Sequence, residues 1–138
     1  MYTSVLDILS VDPRFVSSIE PLLMTNKVDL AMFGHVHNYE RTCAVYEKKC
    51  VALPSKDANG TDTYDNTNYS APVQVIIGAA GFKLDSFSSL IKNSWSLSRI
   101  SEFGYARMHA TTNELKFEFV NANTREAEDT FRIINNQS

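Results

Sequence analysis

Val28-Asp29-Leu30-Ala31-Met32-Phe33-Gly34-His35-Val36-His37-Asn38-Tyr39-Glu40-Arg41 is the stretch on which the reading turns. Its first six residues are apolar enough for a short buried strand, and Gly34 ends that run before a polar, aromatic segment. A strand therefore runs into a loop, and the loop carries two imidazoles at i and i+2. Neutral imidazole is the commonest nitrogen ligand for zinc or iron. A His-x-His triplet is by itself a weak signal, since such pairs are usually solvated or hydrogen-bonded to the protein.

The pattern on the N-terminal side is helical. Asp12-Pro13 places a capping residue before a proline at the first helical position, and Phe15, Val16, Ile19, Leu22 and Leu23 recur on one face. These features predict a helix over about 13–26, kinked or broken at Pro21, which removes a backbone donor and crowds the preceding turn. On the C-terminal side, Arg41–Tyr46 suits a further strand, while 52–71 collects Pro54, Gly60 and many Asp, Asn, Ser and Thr residues and reads as an exposed excursion. Val73-Gln74-Val75-Ile76-Ile77 is the strongest strand, bounded by Pro72 and by Gly78-Ala79-Ala80-Gly81. Residues 82–103 carry no clear period. From Gly104 the pattern alternates, with Leu115, Phe117 and Phe119 opposed to Lys116 and Glu118, so 104–110, 114–120 and 126–134 predict an antiparallel meander.

At 138 residues and 43% hydrophobic, the chain can bury one sizeable core. Its net charge is −3 and its thirteen Lys and Arg residues are scattered, which argues against nucleic acid as a partner. No run approaches the roughly 18 apolar residues of a spanning helix, so no membrane partner is expected, and Met1–Ser4 opens no signal peptide. Cys43 and Cys50 are close enough to close a short loop, either as a disulfide or as two free thiols. With His35 and His37 they could also furnish a copper- or zinc-scavenging loop if both thiols were reduced. Sequons at Asn59, Asn68 and Asn136 are glycosylation candidates, and with the cysteine pair they lean toward an oxidising, secretory history. His109 lies in an alternating strand without a ligand partner at suitable spacing, and Asp62 and Asp65 belong to the solvated excursion. Trp95 is assigned to the core.

Gly-His-Val-His-Asn-Tyr-Glu-Arg, residues 34–41, at the end of an apolar strand resembles the last metal-ligand motif of the purple acid phosphatases, in the calcineurin-like metallophosphoesterase superfamily. Met1-Tyr2-Thr3-Ser4, Ser101–Arg107 and Phe119-Val120-Asn121 are similar to other parts of the same C-terminal region, so the resemblance covers effectively the whole chain. It implies an α/β (α+β) fold: the C-terminal half of a metallophosphoesterase β-sandwich flanked by helices and ending in an antiparallel meander. On that reading residues 1–138 form a single, incomplete domain.

The resemblance further implies hydrolysis of phosphate monoesters at a dinuclear centre of Fe(III) plus a divalent ion (Zn, Mn or Fe), with His35 on the divalent ion and His37 on the ferric ion. The family's other metal motifs should precede Met1, so the chain alone is expected to bind metal weakly and to be inactive. It would then be a structural or interaction module. A secreted or vacuolar location is implied for the parent family. Tyr39, Glu40 and Arg41 are expected to brace the motif loop, and Gly78-Ala79-Ala80-Gly81 departs from the acidic turn of some family members. Strands at 28–33 and 73–77 are expected to have exposed edges, which favours homo-oligomers or poor solubility.

Overall fold

The computed structural model describes residues 1–5, 11–89 and 93–135. Its elements in chain order are helix α1 (Pro13–Thr25) and strands β1 (Leu30–Phe33), β2 (Tyr39–Tyr46), β3 (Lys49–Ala52), β4 (Ser55–Lys56), β5 (Asp62–Asp65), β6 (Val73–Ile77), β7 (Ser96–Ile100), β8 (Gly104–Ala110), β9 (Glu114–Asn121) and β10 (Ala127–Ile134). They form two five-stranded sheets. The first runs β1-β6-β2-β3, with β7 also paired to β2, and the second runs β4-β5-β10-β9-β8.

The helix starts where the capping chemistry places it: the Asp12 carboxylate accepts the Arg14 N–H at 2.8 Å, and Pro13 fills the first turn, where its missing donor costs nothing. Of the kink or break expected at Pro21, the break does not occur: the helix continues to Thr25. Tertiary contacts hold the turn at that point. Glu20 is buried, accepting the Tyr2 hydroxyl and, at 3.2 Å, the Glu47 N–H. Among the described residues α1 is the one helix, and it flanks the two sheets of the expected α+β sandwich. It is neither long nor apolar enough to cross a membrane.

The core lies between the sheets. Tyr39, Val73 and Val75 of the first sheet meet Tyr64, Phe117, Phe119, Phe131 and Ile133 of the second. The Phe117 and Phe119 sides of the predicted alternation are fully buried, and Tyr39 stacks on Phe119 with centroids 4.4 Å apart. A second cluster of Met1, Tyr2, Cys43, Val45 and Trp95 packs with Val16, Ile19 and Leu23 of the helix. Strand β2 serves both clusters because its register shifts after Arg41. A bulge adds a residue and reverses which face the later side chains take. Tyr39 therefore packs toward the second sheet and Cys43 and Val45 toward the helix.

Three expectations need correction. The 52–71 stretch is not wholly exposed, since it contains β4 and β5, and Thr63, Tyr64 and Asn66 are buried. Asp62 likewise is no solvated loop residue: β5 pairs parallel to β10, and the Asp62 carboxylate meets Arg41 at 2.7 Å. Strand β6 is not an edge either. It lies between β1, to which it is parallel, and β2, to which it is antiparallel, leaving β1 as the outer strand on that side.

Candidate metal centre

Strands β1 and β6 pair in parallel with Leu30 opposite Val73 and Phe33 opposite Ile76. Their following segments, 34–38 and 78–85, therefore leave the same end of the sheet side by side. The carboxyl ends of neighbouring parallel strands are where such sheets commonly place ligands.

The first segment is a pair of tight turns. Val36 N–H donates to the Gly34 carbonyl at 3.0 Å and Asn38 N–H to the Val36 carbonyl at 3.0 Å, so His35 and His37 each sit at the apex of a three-residue turn. His35 has φ 73°, the left-handed sense that characterises the rarer, strained form of this turn. Non-glycine residues held there cluster at functional sites. Val36 between them is buried and acts as the anchor, while His35 is exposed and His37 half-buried.

The second segment covers the first. Gly78 N–H donates to the Asn38 carbonyl at 3.1 Å, and a Cβ at Gly78 would overlap the Val36 carbonyl, so only glycine permits this approach. Beyond it, Asp85 Oδ2 accepts the His37 N–H at 2.8 Å, and Asp85 N–H donates to the His37 carbonyl at 2.9 Å. The Phe82 ring meets the His37 imidazole edge-on, with centroids 5.3 Å apart and planes at 77°. His35, Val36, His37, Phe82, Lys83, Asp85 and Val5 line a cavity of about 220 Å³.

Sequence reasoning placed the two histidines on one loop but missed Phe82, Lys83 and Asp85. The available signal was a repeated strand-then-glycine pattern, Phe33-Gly34 and Ile77-Gly78. Only the parallel pairing makes those two turns neighbours.

The residues after the histidines are buried and bonded away from the loop. Glu40 accepts from Ser4 N–H at 2.7 Å, from the Ser4 hydroxyl and from Ser96 Oγ at 2.6 Å, with Arg99 Nε at 3.5 Å. Arg41 meets Asp129, Asp62 and Tyr64. Burial and the adjacent Asp129 carboxylate push the Tyr39 phenol far above its ordinary range, so Tyr39 stays a neutral donor to Asp129 at 2.6 Å. These groups brace the strand below the turns, tying it to the N-terminal segment and to the second sheet.

As metal ligands, His35 and His37 fit in kind and fall short in number. Among the described residues neither ring makes a hydrogen bond, so ring nitrogens are free to coordinate; however, no group of three or more His, Cys, Asp or Glu residues is gathered to hold an ion. Each ion needs about four to six donors. Cys43 and Cys50 are joined in a disulfide across the β2–β3 hairpin, Cα–Cα 5.8 Å, which removes the thiols that a Cys–His scavenging site would require. His109 is exposed on β8, away from any such group. Asn59 and Asn68 are both exposed, and Asn136 lies outside the described residues.

Residues 71–130 match the family described as iron/zinc purple acid phosphatase-like protein C. The chain is 40% identical over 123 residues to probable inactive purple acid phosphatase 24 of Arabidopsis thaliana, covering 88% of this chain and 19% of that protein. It is 32% identical over 123 residues to a nucleotide pyrophosphatase/phosphodiesterase of Hordeum vulgare, covering 88% of this chain and 31% of the relative. The chain thus spans between a fifth and a third of these relatives. The purple acid phosphatase PPD1 from yellow lupin (Lupinus luteus) seeds has the same fold, with TM-score 0.79, 27% identity, and coverage of 99% of this chain and 24% of the lupin chain. With both sheets superposing on that enzyme and the closing strands matching the family's C-terminal region, this chain belongs to the purple acid phosphatase family.

Proposed function

We propose that the chain supplies the C-terminal side of a phosphate-ester hydrolase site, with His35 and His37 each donating one nitrogen to a dinuclear centre completed by other protein. The observation that carries this is the pair of apical histidines on consecutive tight turns at the carboxyl end of β1. When bound, the two ions would act as Lewis acids on phosphate oxygens and lower the pKa of a water nucleophile. This chain's own part is positional. The left-handed turn presents His35, the half-buried His37 is fixed against the second loop, and Phe82 and Lys83 form the adjoining wall. Iron with zinc, manganese or a second iron, and phosphate monoesters, are the cofactors and substrates this reading takes from the family.

A second reading is a non-catalytic module that keeps the fold without turnover. It is favoured by the Arabidopsis relative's name, probable inactive, and by the finding that among the described residues no three His, Cys, Asp or Glu side chains are arranged to hold an ion. On either reading, a secretory location with glycans at the exposed Asn59 and Asn68 accords with the disulfide. The outer strand β1 gives self-association a template.

The two readings are separated by a chimaera in which residues 1–138 replace the corresponding segment of the Hordeum vulgare relative. Phosphate-ester hydrolysis that is retained, and lost on either His35→Ala or His37→Ala, supports the first reading. A folded chimaera without activity, or with activity indifferent to both substitutions, leaves the second.

A further inference from the structure

We propose that Asp85 is a positioning residue that sets the His37 imidazole for coordination, an inference that rests on the metal-centre reading above. His37 lies outside any strand, yet both of its main-chain groups are taken. Its N–H goes to the Asp85 carboxylate at 2.8 Å and its carbonyl to the Asp85 N–H at 2.9 Å. The arrangement copies a hydrogen-bonded pair between strands, with a carboxylate oxygen in place of one carbonyl. A charged acceptor makes the first bond stronger than its neutral counterpart.

The clamp is itself anchored. Gly78 N–H reaches the Asn38 carbonyl at 3.1 Å, Gly104 N–H reaches the Ala79 carbonyl at 3.0 Å, and Ser101 Oγ donates to the Asp85 carbonyl at 3.3 Å. The 78–85 segment is therefore held at its start by Asn38 and by Gly104 of β8, and at its end by Ser101 on the β7–β8 connection. Between those anchors Phe82, although 75% exposed, lies edge-on against the His37 ring. Tight turns alone would leave the His37 apex free to flatten, and a ligand must be held to about 0.5 Å to serve a metal. Asp85 supplies that restraint from 48 residues away in the chain.

The test uses the 138-residue chain, zinc chloride as the probe, and two substitutions. Asp85→Ala removes the acceptor for the His37 N–H, whereas Asp85→Asn keeps an amide oxygen in its place. Hydrogen exchange of the His37 amide and the zinc-dependent NMR shift of its imidazole are both followed. Asp85→Ala should accelerate that exchange by about tenfold and weaken zinc binding by about tenfold, in the range of outer-shell partners. Asp85→Asn should stay within about threefold of the parent in both.

Unchanged exchange and unchanged zinc affinity in Asp85→Ala would overturn the proposal. So would an Asp85→Asn variant as weak for zinc as Asp85→Ala, since the carboxylate would then act by its charge or as a ligand. Two imidazoles alone bind zinc weakly, so the shift is sought up to millimolar zinc; if none appears at His35 or His37 even there, the metal-centre reading fails instead, and faster amide exchange in Asp85→Ala would then report a structural clamp alone.

Discussion

The Arg41 guanidinium crosses the sandwich to the Asp129 carboxylate: Nε donates to Oδ2 at 2.7 Å and Nη2 to Oδ1 at 2.9 Å. The two side chains are only 4% and 9% exposed, and they join β2 of the first sheet to β10 of the second. Nη1 and Nη2 also donate to the Tyr64 hydroxyl and to Asp62, each at 2.7 Å. Removing one partner of a buried pair leaves the other charge uncompensated, so Arg41→Met is expected to lose about 3–5 kcal/mol of unfolding free energy. Urea denaturation would measure it; a loss under about 1 kcal/mol would mean that solvent reaches Asp129 and replaces the guanidinium.

Acid should weaken the same junction. Burial alone would raise the Asp62 pKa, but hydrogen bonds from Lys56 and Arg41 outweigh it and hold the carboxyl below its usual range. Because the folded value lies below the unfolded one, the unfolded chain binds more protons between them, and stability rises with pH there. The contribution is complete above the unfolded value of about 3.9 and disappears as pH falls through the folded one. Unfolding free energies from pH 6 down to 2 should therefore decline, and Asp62→Asn should make that decline shallower.

Gly78→Ala tests the approach of the two loops. Its Cβ would overlap a main-chain carbonyl, Val36, which cannot rotate away as a side chain could. Overpacking of this kind costs about 1–3 kcal/mol. The change should also shift the NMR signals of His35 and His37, while leaving those of His109 in place. Equal disturbance at all three histidines would point to general unfolding instead.

The disulfide closes a short loop, with Cys43 and Cys50 seven apart in sequence. Chain-entropy reasoning for so small a ring gives a loss of about 2 kcal/mol in a Cys43→Ala/Cys50→Ala double variant. Its hairpin should survive, because Glu47 and Lys48 at its tip have φ 48° and 59°, the turn sense that matches the twist of paired strands. Thermal denaturation under non-reducing conditions would register the loss.

Glycosylation can be checked directly. Expression in a secreting host should yield a chain whose mass falls on enzymatic removal of N-glycans, with the shift abolished by Asn59→Gln/Asn68→Gln/Asn136→Gln and reduced by Asn59→Gln/Asn68→Gln. A mass unaffected by deglycosylation in the parent chain would remove the support that the two exposed sequons lend to a secretory location.

By itself the sequence determined what depends on nearest neighbours. The Asp12 cap and Pro13 place the helix start, β-branched Val73–Ile77 makes a strand, and period two from Gly104 produces the closing meander, because each signal is written within a few residues. The His-Val-His triplet after an apolar strand, together with its family-like flanks, pointed to the phosphatase family in the same way. Tertiary structure decided which of these pieces meet. Periodicity reports that a side chain is buried but not against what, so the partners of Arg41 in β5 and β10 could not be read, nor could the burial of Tyr64 and the half-burial of Asp62 in a polar stretch. The register shift in β2 that divides its side chains between two cores leaves no mark in local pattern. Above all, parallel pairing of β1 with β6 is a contact between segments some forty residues apart, and it alone sets Asp85 and Phe82 against His37. The motif named a histidine pair, and the sheet supplied the residues packed against it.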